Sequence, residues 1–138
     1  MRIFLDANIL FSAAKSARAI RHLLDRLLEA GHECWADQLV LTEARRNLER
    51  KSSDSLAILD RLRERLKIAA TQAPDAELAA SLPLAEKDRP VLAAAIRLGC
   101  DALVTGDHTH FGALYGRSIR GVTIHSPRSL AEALGVKR

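Results

Sequence analysis

The chain is poor in cysteine and in aromatic residues, and both shortages limit what it can be. Its two cysteines, Cys34 and Cys100, lie far apart and neither belongs to a Cys-x-x-Cys pair, which argues against a zinc site and a disulfide framework. We expect both to be buried free thiols in a reducing cytoplasm. Aromatic residues make up 4% of the sequence, so we expect a core of Leu, Ala, Val and Ile and no base-stacking platform.

Several functional motifs are also missing. The P-loop and the Gly-rich dinucleotide fingerprint are absent, and no Ser–His or Cys–His arrangement stands out as a nucleophile with its base. No stretch of about 18 uninterrupted apolar residues occurs, so we expect no membrane span. Asp6 and Asn8 interrupt the N-terminal apolar run, so we expect no signal peptide and a cytoplasmic protein.

The length and charge of the chain favour one basic domain. With 138 residues, of which 48% are hydrophobic, it can bury a proper core as a single domain covering residues 1–138. Its 21 basic and 17 acidic residues give a net charge of +4 and an isoelectric point of about 9.5. A moderately basic protein favours polyanionic partners.

Apolar runs and amphipathic segments alternate along the chain. The segments that predict strands are 2–9, 32–36, 67–70, 101–105 and 121–125. The segments that predict helices are 17–30, 37–50, 55–67, 75–82, 89–98 and 127–134, while the sequence GDHTHFG at 106–112 predicts a loop. Strands that alternate with helices predict a mainly parallel sheet of about five strands with helices on both faces.

Acidic residues stand where strands end or helices begin. The apolar run IFLDANILF contains Asp6, and burying an unpaired carboxylate is costly. Asp107 follows the strand ALVT, Asp88 precedes the helix before it, and Glu43 lies on the helix after the second strand. Because ligands of open parallel sheets bind at the carboxyl ends of strands, these acids can converge there. Their repulsion would then be relieved by Mg²⁺ or Mn²⁺, which prefer oxygen ligands.

Three segments carry a resemblance to a known family. They read, in chain order, MRIFLDANILFSA, LTEARRNL and EKDRPVLAAAIRLGCDALVTGD. Together they resemble the PIN-domain nucleases, which include the VapC-type toxin ribonucleases of type II toxin–antitoxin systems. The resemblance implies a three-layer α/β/α fold and a Mg²⁺- or Mn²⁺-dependent endoribonuclease that hydrolyses phosphodiester bonds of single-stranded RNA. It also implies an antitoxin protein and a homodimer as partners.

The resemblance assigns roles to individual residues. The positions that match the family's catalytic and metal-binding acids are Asp6, Glu43, Asp88 and Asp107. Asn8 and Thr105 match the polar residues that support these acids. Residue type alone also allows Asp88 to cap the helix that follows it and Asp107 to serve a turn.

Thr109 departs from the family pattern, because many members carry a further acid two residues after the position of Asp107. This departure leaves open a PIN-like module that binds RNA or a protein without cutting. Two other enzymes of the same fold class fit less well. A haloacid-dehalogenase-like phosphatase requires Asp-x-Asp after the first strand, where this chain has Asp6, Ala7 and Asn8, and a receiver domain requires a pair of acids there.

Other residues near the predicted site allow two interpretations. His108 and His110 alternate in the predicted loop, where they could bind a metal or contact RNA. Arg45 and Arg46 belong to a basic cluster that could steer an RNA backbone towards the acids or form a solvated helix face.

Overall fold

Six strands and eight helices follow one another in the computed structural model, which describes residues 1–15, 18–73 and 75–136. The strands are β1 (Arg2–Leu5), β2 (Glu33–Asp37), β3 (Lys67–Ala69), β4 (Ala102–Val104), β5 (Ser118–Ile119) and β6 (Val122–His125). The helices are α1 (Ala7–Lys15), α2 (Arg18–Glu29), α3 (Gln38–Lys51), α4 (Leu56–Arg63), α5 (Ala76–Ser81), α6 (Arg89–Arg97), α7 (His108–Phe111) and α8 (Pro127–Leu134).

The strands form one sheet in the order β3-β2-β1-β4-β6-β5. Every neighbouring pair is parallel except β5 and β6, and Ile3 of β1 lies between Cys34 of β2 and Ala102 of β4. The chain builds outwards from β1 to β3, then crosses back to β4 on the other side of β1. The direction of winding therefore reverses between β1 and β4, which is where open α/β sheets bind ligands.

Helices cover both faces of this sheet. Helix α1 packs against α2, α3 and α4, and α2 also packs against α8, so these five form one layer. Helix α5 packs on α6, and α6 packs on β4. A right-handed crossover from β3 back to β4 carries α6 over the opposite face. The predicted three-layer α/β/α fold with a mainly parallel sheet is confirmed, with six strands rather than about five.

The core is aliphatic, as the composition predicts. Ile3, Leu5 and Leu103 on the two central strands are fully buried. Two of the few aromatic rings, Phe4 and Phe111, are also enclosed. Among the described residues, no helix has both the length and the apolar surface needed to cross a bilayer.

The first strand is shorter than predicted, and this is a correction that bears on the site. The predicted strand at 2–9 ends at Leu5, and α1 begins at Ala7. An apolar run does not by itself distinguish a strand from a buried helix. Helical spacing was present, because Ile9, Leu10, Ala13 and Ala14 turn one buried face towards the core. Asn8 therefore lies in the first turn of a helix rather than on a strand.

Two further elements were missing from the sequence prediction. The predicted loop at 106–112 contains the short helix α7, which begins after Asp107. Strand β5 pairs antiparallel with β6 through a two-residue turn, in which Arg120 has φ 49° and Gly121 has φ 88°. Positive φ at both central positions suits the tight hairpin turn that two-residue loops favour.

The remaining predicted elements match the structure apart from their ends. The helix predicted at 17–30 is α2, with residue 17 outside the described residues. The helix predicted at 55–67 is α4, which follows a 3₁₀ turn at Ser53–Ser55 and ends at Arg63. Asp37 caps α3 by accepting a hydrogen bond from the Val40 backbone N–H.

Burial should make both thiols unreactive in the folded protein. Cys34 and Cys100 are buried and free, as predicted, and burial raises the pKa of Cys34 to about 12 and that of Cys100 to about 11. Because the thiolate is the reactive form, we expect no fast reaction with Ellman's reagent in native protein and two reactive thiols after denaturation. Rapid labelling of either cysteine before unfolding would contradict this packing.

Candidate metal centre

Asp6 lies between the end of β1 and the start of α1, at the carboxyl end of a central strand. Its backbone N–H donates to the Val104 carbonyl at 3.1 Å. Its carboxylate accepts from the Ala7 backbone N–H at Oδ1 (2.8 Å), and from Thr105 Oγ1 (2.8 Å) and Asn8 Nδ2 (3.1 Å) at Oδ2. A carboxylate has about four lone-pair positions, so one remains on Oδ1.

The environment of Asp6 makes its ionised form costly. The residue is 7% exposed, and burial raises the pKa of its carboxyl above the ordinary value. The hydrogen bonds from Thr105, Ala7 and Asn8 favour the charged form, while the negative charge of Asp107 opposes it. The net direction is upwards, so a cation nearby would stabilise the carboxylate that these donors orient.

The hydroxyl of Thr105 connects the ends of the two central strands. Thr105 follows β4 and is fully buried. Its Oγ1 donates to Asp6 Oδ2 and accepts from Asn8 Nδ2 at 3.2 Å and from the Asp107 backbone N–H at 3.1 Å. One donor and two acceptor positions are all that a hydroxyl offers, so every one is used.

Asn8 joins the first turn of α1 to the turn after β4. Its Nδ2 serves Asp6 and Thr105, and its Oδ1 accepts from the Gly106 backbone N–H at 2.7 Å. A Cβ at Gly106 would lie 3.3 Å from Asn8 Oδ1, tighter than most such contacts. Glycine therefore permits the close approach that lets one amide side chain hold both segments.

Asp88 ends a 3₁₀ turn at Glu86–Asp88 and stands directly before α6. Its side chain does not cap that helix, so the capping role that residue type allows is not realised. Its Oδ2 is buried and accepts no hydrogen bond from any of the described residues. A buried carboxylate oxygen without a partner is expensive, and a bound cation would remove that cost.

Asp107 caps α7 and forms a close pair with His110. Asp107 Oδ1 accepts from the His110 backbone N–H at 3.1 Å, and Asp107 Oδ2 lies 2.6 Å from His110 Nδ1. Burial alone would raise the pKa of Asp107, but the side-chain and backbone hydrogen bonds from His110 and the charges of His110 and Lys87 lower it overall. This carboxyl is therefore held ionised more readily than Asp6.

Glu43 reaches the same region from α3. Glu43, Asn47 and Lys51 are spaced four residues apart on one face of that helix, and all three line the cavity around Asp6. Partial burial raises the pKa of Glu43, and the negative charges of Asp6 and Asp88 raise it further. The mutual effect of these carboxyls means that they share one electrostatic environment.

The four predicted acids line a single open cavity of about 410 Å³ at the ends of β1 and β4: Asp6, Glu43, Asp88 and Asp107. Lys51 and Lys87 also line it, as does Phe11. Two of these acids also belong to a group of possible metal ligands, because Asp88, Asp107 and the neighbouring His110 have ligand atoms that all lie within 4.8 Å of one another. Asp6 and Glu43 lie outside this group.

Both histidines lie on α7, the short helix that the sequence did not predict, and they point in different directions. Two residues apart on α7, they project in nearly opposite directions, so they do not form a metal pair. His110 faces Asp107, whereas the His108 ring packs on Tyr115, with 5.8 Å between ring centroids. Thr109 is exposed.

The arginines predicted to contact RNA lie elsewhere on the surface. Arg45 and Arg46 line a separate groove together with Glu49 and Asp60, and Arg45 pairs with Asp60. Arg45 and Arg46 do not line the cavity that holds the acids, and their part in steering RNA stays a prediction. Lys51 and Lys87 line the cavity with the acids, and Lys51 lies on Glu43's helix because α3 continues one residue past its predicted end.

The donor set of the cavity fits a divalent cation. Carboxylate oxygens dominate, two carboxyls have raised pKa values, and one buried carboxylate oxygen has no partner in the described part of the chain. A bound cation would offset all three costs together, and Mg²⁺ and Mn²⁺ take oxygen ligands.

Loss of the Thr105 hydroxyl should destabilise the fold more than loss of the Thr105 methyl group. Thr105→Val keeps the volume but leaves Asp6, Asn8 and the Asp107 N–H each short of one partner, so we expect unfolding to be easier by about 1–3 kcal/mol. The control Thr105→Ser keeps the hydroxyl and should lose less. Urea unfolding followed by circular dichroism measures both, and a valine variant as stable as wild type would contradict the role of this hydroxyl.

The sequence profile of one family, the PIN domain, matches residues 2–109. No curated protein matches the chain at a significant level.

Solved structures of low sequence identity share the fold. VapBC2 from Rickettsia felis, bound to a DNA fragment from its promoter, has a chain that superposes with a TM-score of 0.69 at 20% identity, covering 91% of this chain and 98% of that one. DNA-bound VapBC from Salmonella typhimurium gives 0.64 at 18% identity, with 92% and 98% covered. VapC20 from Mycobacterium tuberculosis, a sarcin–ricin loop cleaving toxin, gives 0.57 at 15% identity, with 80% and 93% covered.

Proposed function

The chain belongs to the PIN domain family, and on that premise we propose that it is a metal-dependent endoribonuclease acting on single-stranded RNA. The observation that carries the proposal is the convergence of Asp6, Glu43, Asp88 and Asp107 on one cavity at the switch point of the sheet. Four carboxylates brought together from distant parts of the chain repel one another, and a bound cation would offset this repulsion.

Each acid would have its own task. Asp88 and Asp107 would hold the ion, because Asp88 Oδ2 has no other partner among the described residues and Asp107 is readily ionised. Asp6 would act through a water bound at the one Oδ1 position that its three hydrogen bonds leave open. Asn8 and Thr105 would keep Asp6 oriented, as supporting residues do around metal ligands.

Hydrolysis needs a proton acceptor and a way to hold the phosphate. Glu43 would accept the proton of the attacking water, because a raised pKa suits a carboxylate to general-base work. The ammonium groups of Lys51 and Lys87 would attract the RNA backbone to the cavity. When bound, Mg²⁺ or Mn²⁺ supplies positive charge that offsets the phosphate and makes a water easier to deprotonate.

We also propose that the protein is the toxin of a toxin–antitoxin pair, neutralised by an antitoxin protein. The support is the likeness of the fold to chains of VapBC complexes and to a toxin that cleaves the sarcin–ricin loop. The cytoplasmic location and the homodimer remain predictions from the sequence.

Cleavage should depend on the metal and on the acids of the cavity. Purified protein, free of any antitoxin, should cut fluorescently labelled RNAs of varied sequence with Mn²⁺ or Mg²⁺ and stop with EDTA. Asp6→Ala should lower the rate by about 10- to 100-fold or more, because it removes the carboxylate that supports the ion.

The matched control is Glu64→Gln, which removes an exposed carboxylate outside the cavity. It should cut at the wild-type rate. Full activity in Asp6→Ala would refute the site. RNA binding without cleavage under any metal condition would instead favour the alternative function, a PIN-like module that binds RNA or a protein but does not cut.

Metal binding should reverse the effect of one substitution on stability. Without metal, Asp88→Asn should be at least as stable as wild type, because it removes a buried charge that has no partner among the described residues. With Mn²⁺ at about one hundred times its dissociation constant, wild type should gain about 2.7 kcal/mol, and the variant should gain little. Thermal denaturation with and without Mn²⁺ tests this, and an equal gain in both proteins would remove Asp88 from the metal site.

A further inference from the structure

We propose that His110 is a ligand of the metal ion together with Asp88 and Asp107, and that this nitrogen donor makes the site prefer Mn²⁺ to Mg²⁺. The inference rests on the proposed function, since it concerns the ion that the nuclease would hold. It adds a residue that the acidic pattern does not contain and specifies the class of metal.

The backbone brings the three side chains together. Asp107 caps α7 and His110 lies three residues later, so both side chains lie on the same side of the first turn. Asp88 comes from a different part of the chain, directly before α6. His110 Nδ1 lies 2.6 Å from Asp107 Oδ2 and 3.9 Å from Asp88 Oδ1.

These separations suit ligands of one ion. With metal–ligand bonds of about 2.0–2.2 Å, adjacent ligand atoms around an octahedral ion lie about 3.0 Å apart and opposite ones about 4.2 Å apart. The two measured separations, 2.6 Å and 3.9 Å, are no longer than the greater of these distances, and the ligand atoms of all three residues lie within 4.8 Å of one another. A cation could therefore take the place of the proton between His110 and Asp107 with small movements of the side chains.

The three residues also differ in how far their side chains are exposed to solvent. The side chain of Asp88 is 13% exposed, and its buried Oδ2 accepts no hydrogen bond from the described residues. The side chain of His110 is 36% exposed and can adjust from the solvent side. One largely buried carboxylate, one carboxylate that caps a helix and one partly exposed imidazole make a group that an ion can reach from solvent.

An imidazole changes which ion is favoured. Mg²⁺ takes oxygen ligands and keeps several of its waters, so it gains little from a nitrogen donor. Imidazole suits first-row transition ions, whose affinity for nitrogen exceeds that of Mg²⁺. The Asp88–Asp107–His110 group should therefore bind Mn²⁺ distinctly more tightly than Mg²⁺.

A simpler role for His110 makes a different prediction. His110 could serve only to orient Asp107 through the 2.6 Å hydrogen bond. Its loss would then weaken Mn²⁺ and Mg²⁺ to the same extent, and no metal–nitrogen bond would exist.

Calorimetric titration of the full chain with Mn²⁺ and with Mg²⁺ separates the two roles. We expect His110→Ala to weaken Mn²⁺ binding by about tenfold or more, while Mg²⁺ binding changes by less than about threefold. The control is His108→Ala, which removes the other imidazole of α7 and should leave both affinities unchanged. Equal weakening of both ions by His110→Ala would overturn the proposal.

Pulsed electron paramagnetic resonance of the Mn²⁺-loaded protein tests the bond directly. Wild type and His108→Ala should show spin-echo modulation from a directly bound nitrogen, and His110→Ala should not. Bound Mn²⁺ without this modulation in wild type would refute the histidine ligand while leaving a metal-dependent nuclease intact. Absence of any Mn²⁺ binding would refute the proposed function itself.

Discussion

Repulsion between carboxylates that share one partly buried cavity constrains the structure at the carboxyl ends of β1 and β4. Asp6 and Glu43 both have raised pKa values, and each feels the negative charge of a neighbouring acid. The fold opposes that repulsion with directed donors, most of all the Thr105 hydroxyl, and with the lysines at the border. These devices hold the acids in position, but they leave a deficit of positive charge that suits a divalent ion.

The topology explains why acids so far apart in sequence meet. Strands β1 and β4 are neighbours at the centre of the sheet, and their carboxyl ends lead into α1 and into the turn before α7. Asp6 and Asp107 sit on those two connections, and α3 and the start of α6 supply Glu43 and Asp88. The reversal of winding leaves a crevice between the two sets of helices, so the site follows from strand order rather than from any single motif.

The sequence was informative about the fold class and the acids because both depend on local patterns. Alternation of strands and helices predicted the layers, and an acid inside an apolar run singled out Asp6. The sequence was less informative where one residue decides an element. The sequence predicts a strand to residue 9 and so misses α1, because an apolar run suits either structure until its period is examined.

The role of His110 depends on such a small element. α7 has four residues and begins with a side-chain cap from Asp107, and a helix this short leaves almost no periodic signal. Without it, His108 and His110 look equivalent, whereas the helix turns one towards the acids and the other towards Tyr115. Asn47 was more accessible to prediction, since it lies four residues after Glu43 within the predicted helix, and Lys51 follows one turn later, just past the predicted end.

The two edge strands of the sheet affect how readily copies of the protein associate in a crowded solution. β3 at one margin has three residues and carries the exposed Lys67, and β5 at the other has two, closed by the turn at Arg120 and Gly121. Open strand edges recruit strands from other molecules, and short or charged edges offer them little to pair with. The edge strands of the sheet are therefore too short to favour edge-to-edge pairing between copies of the protein.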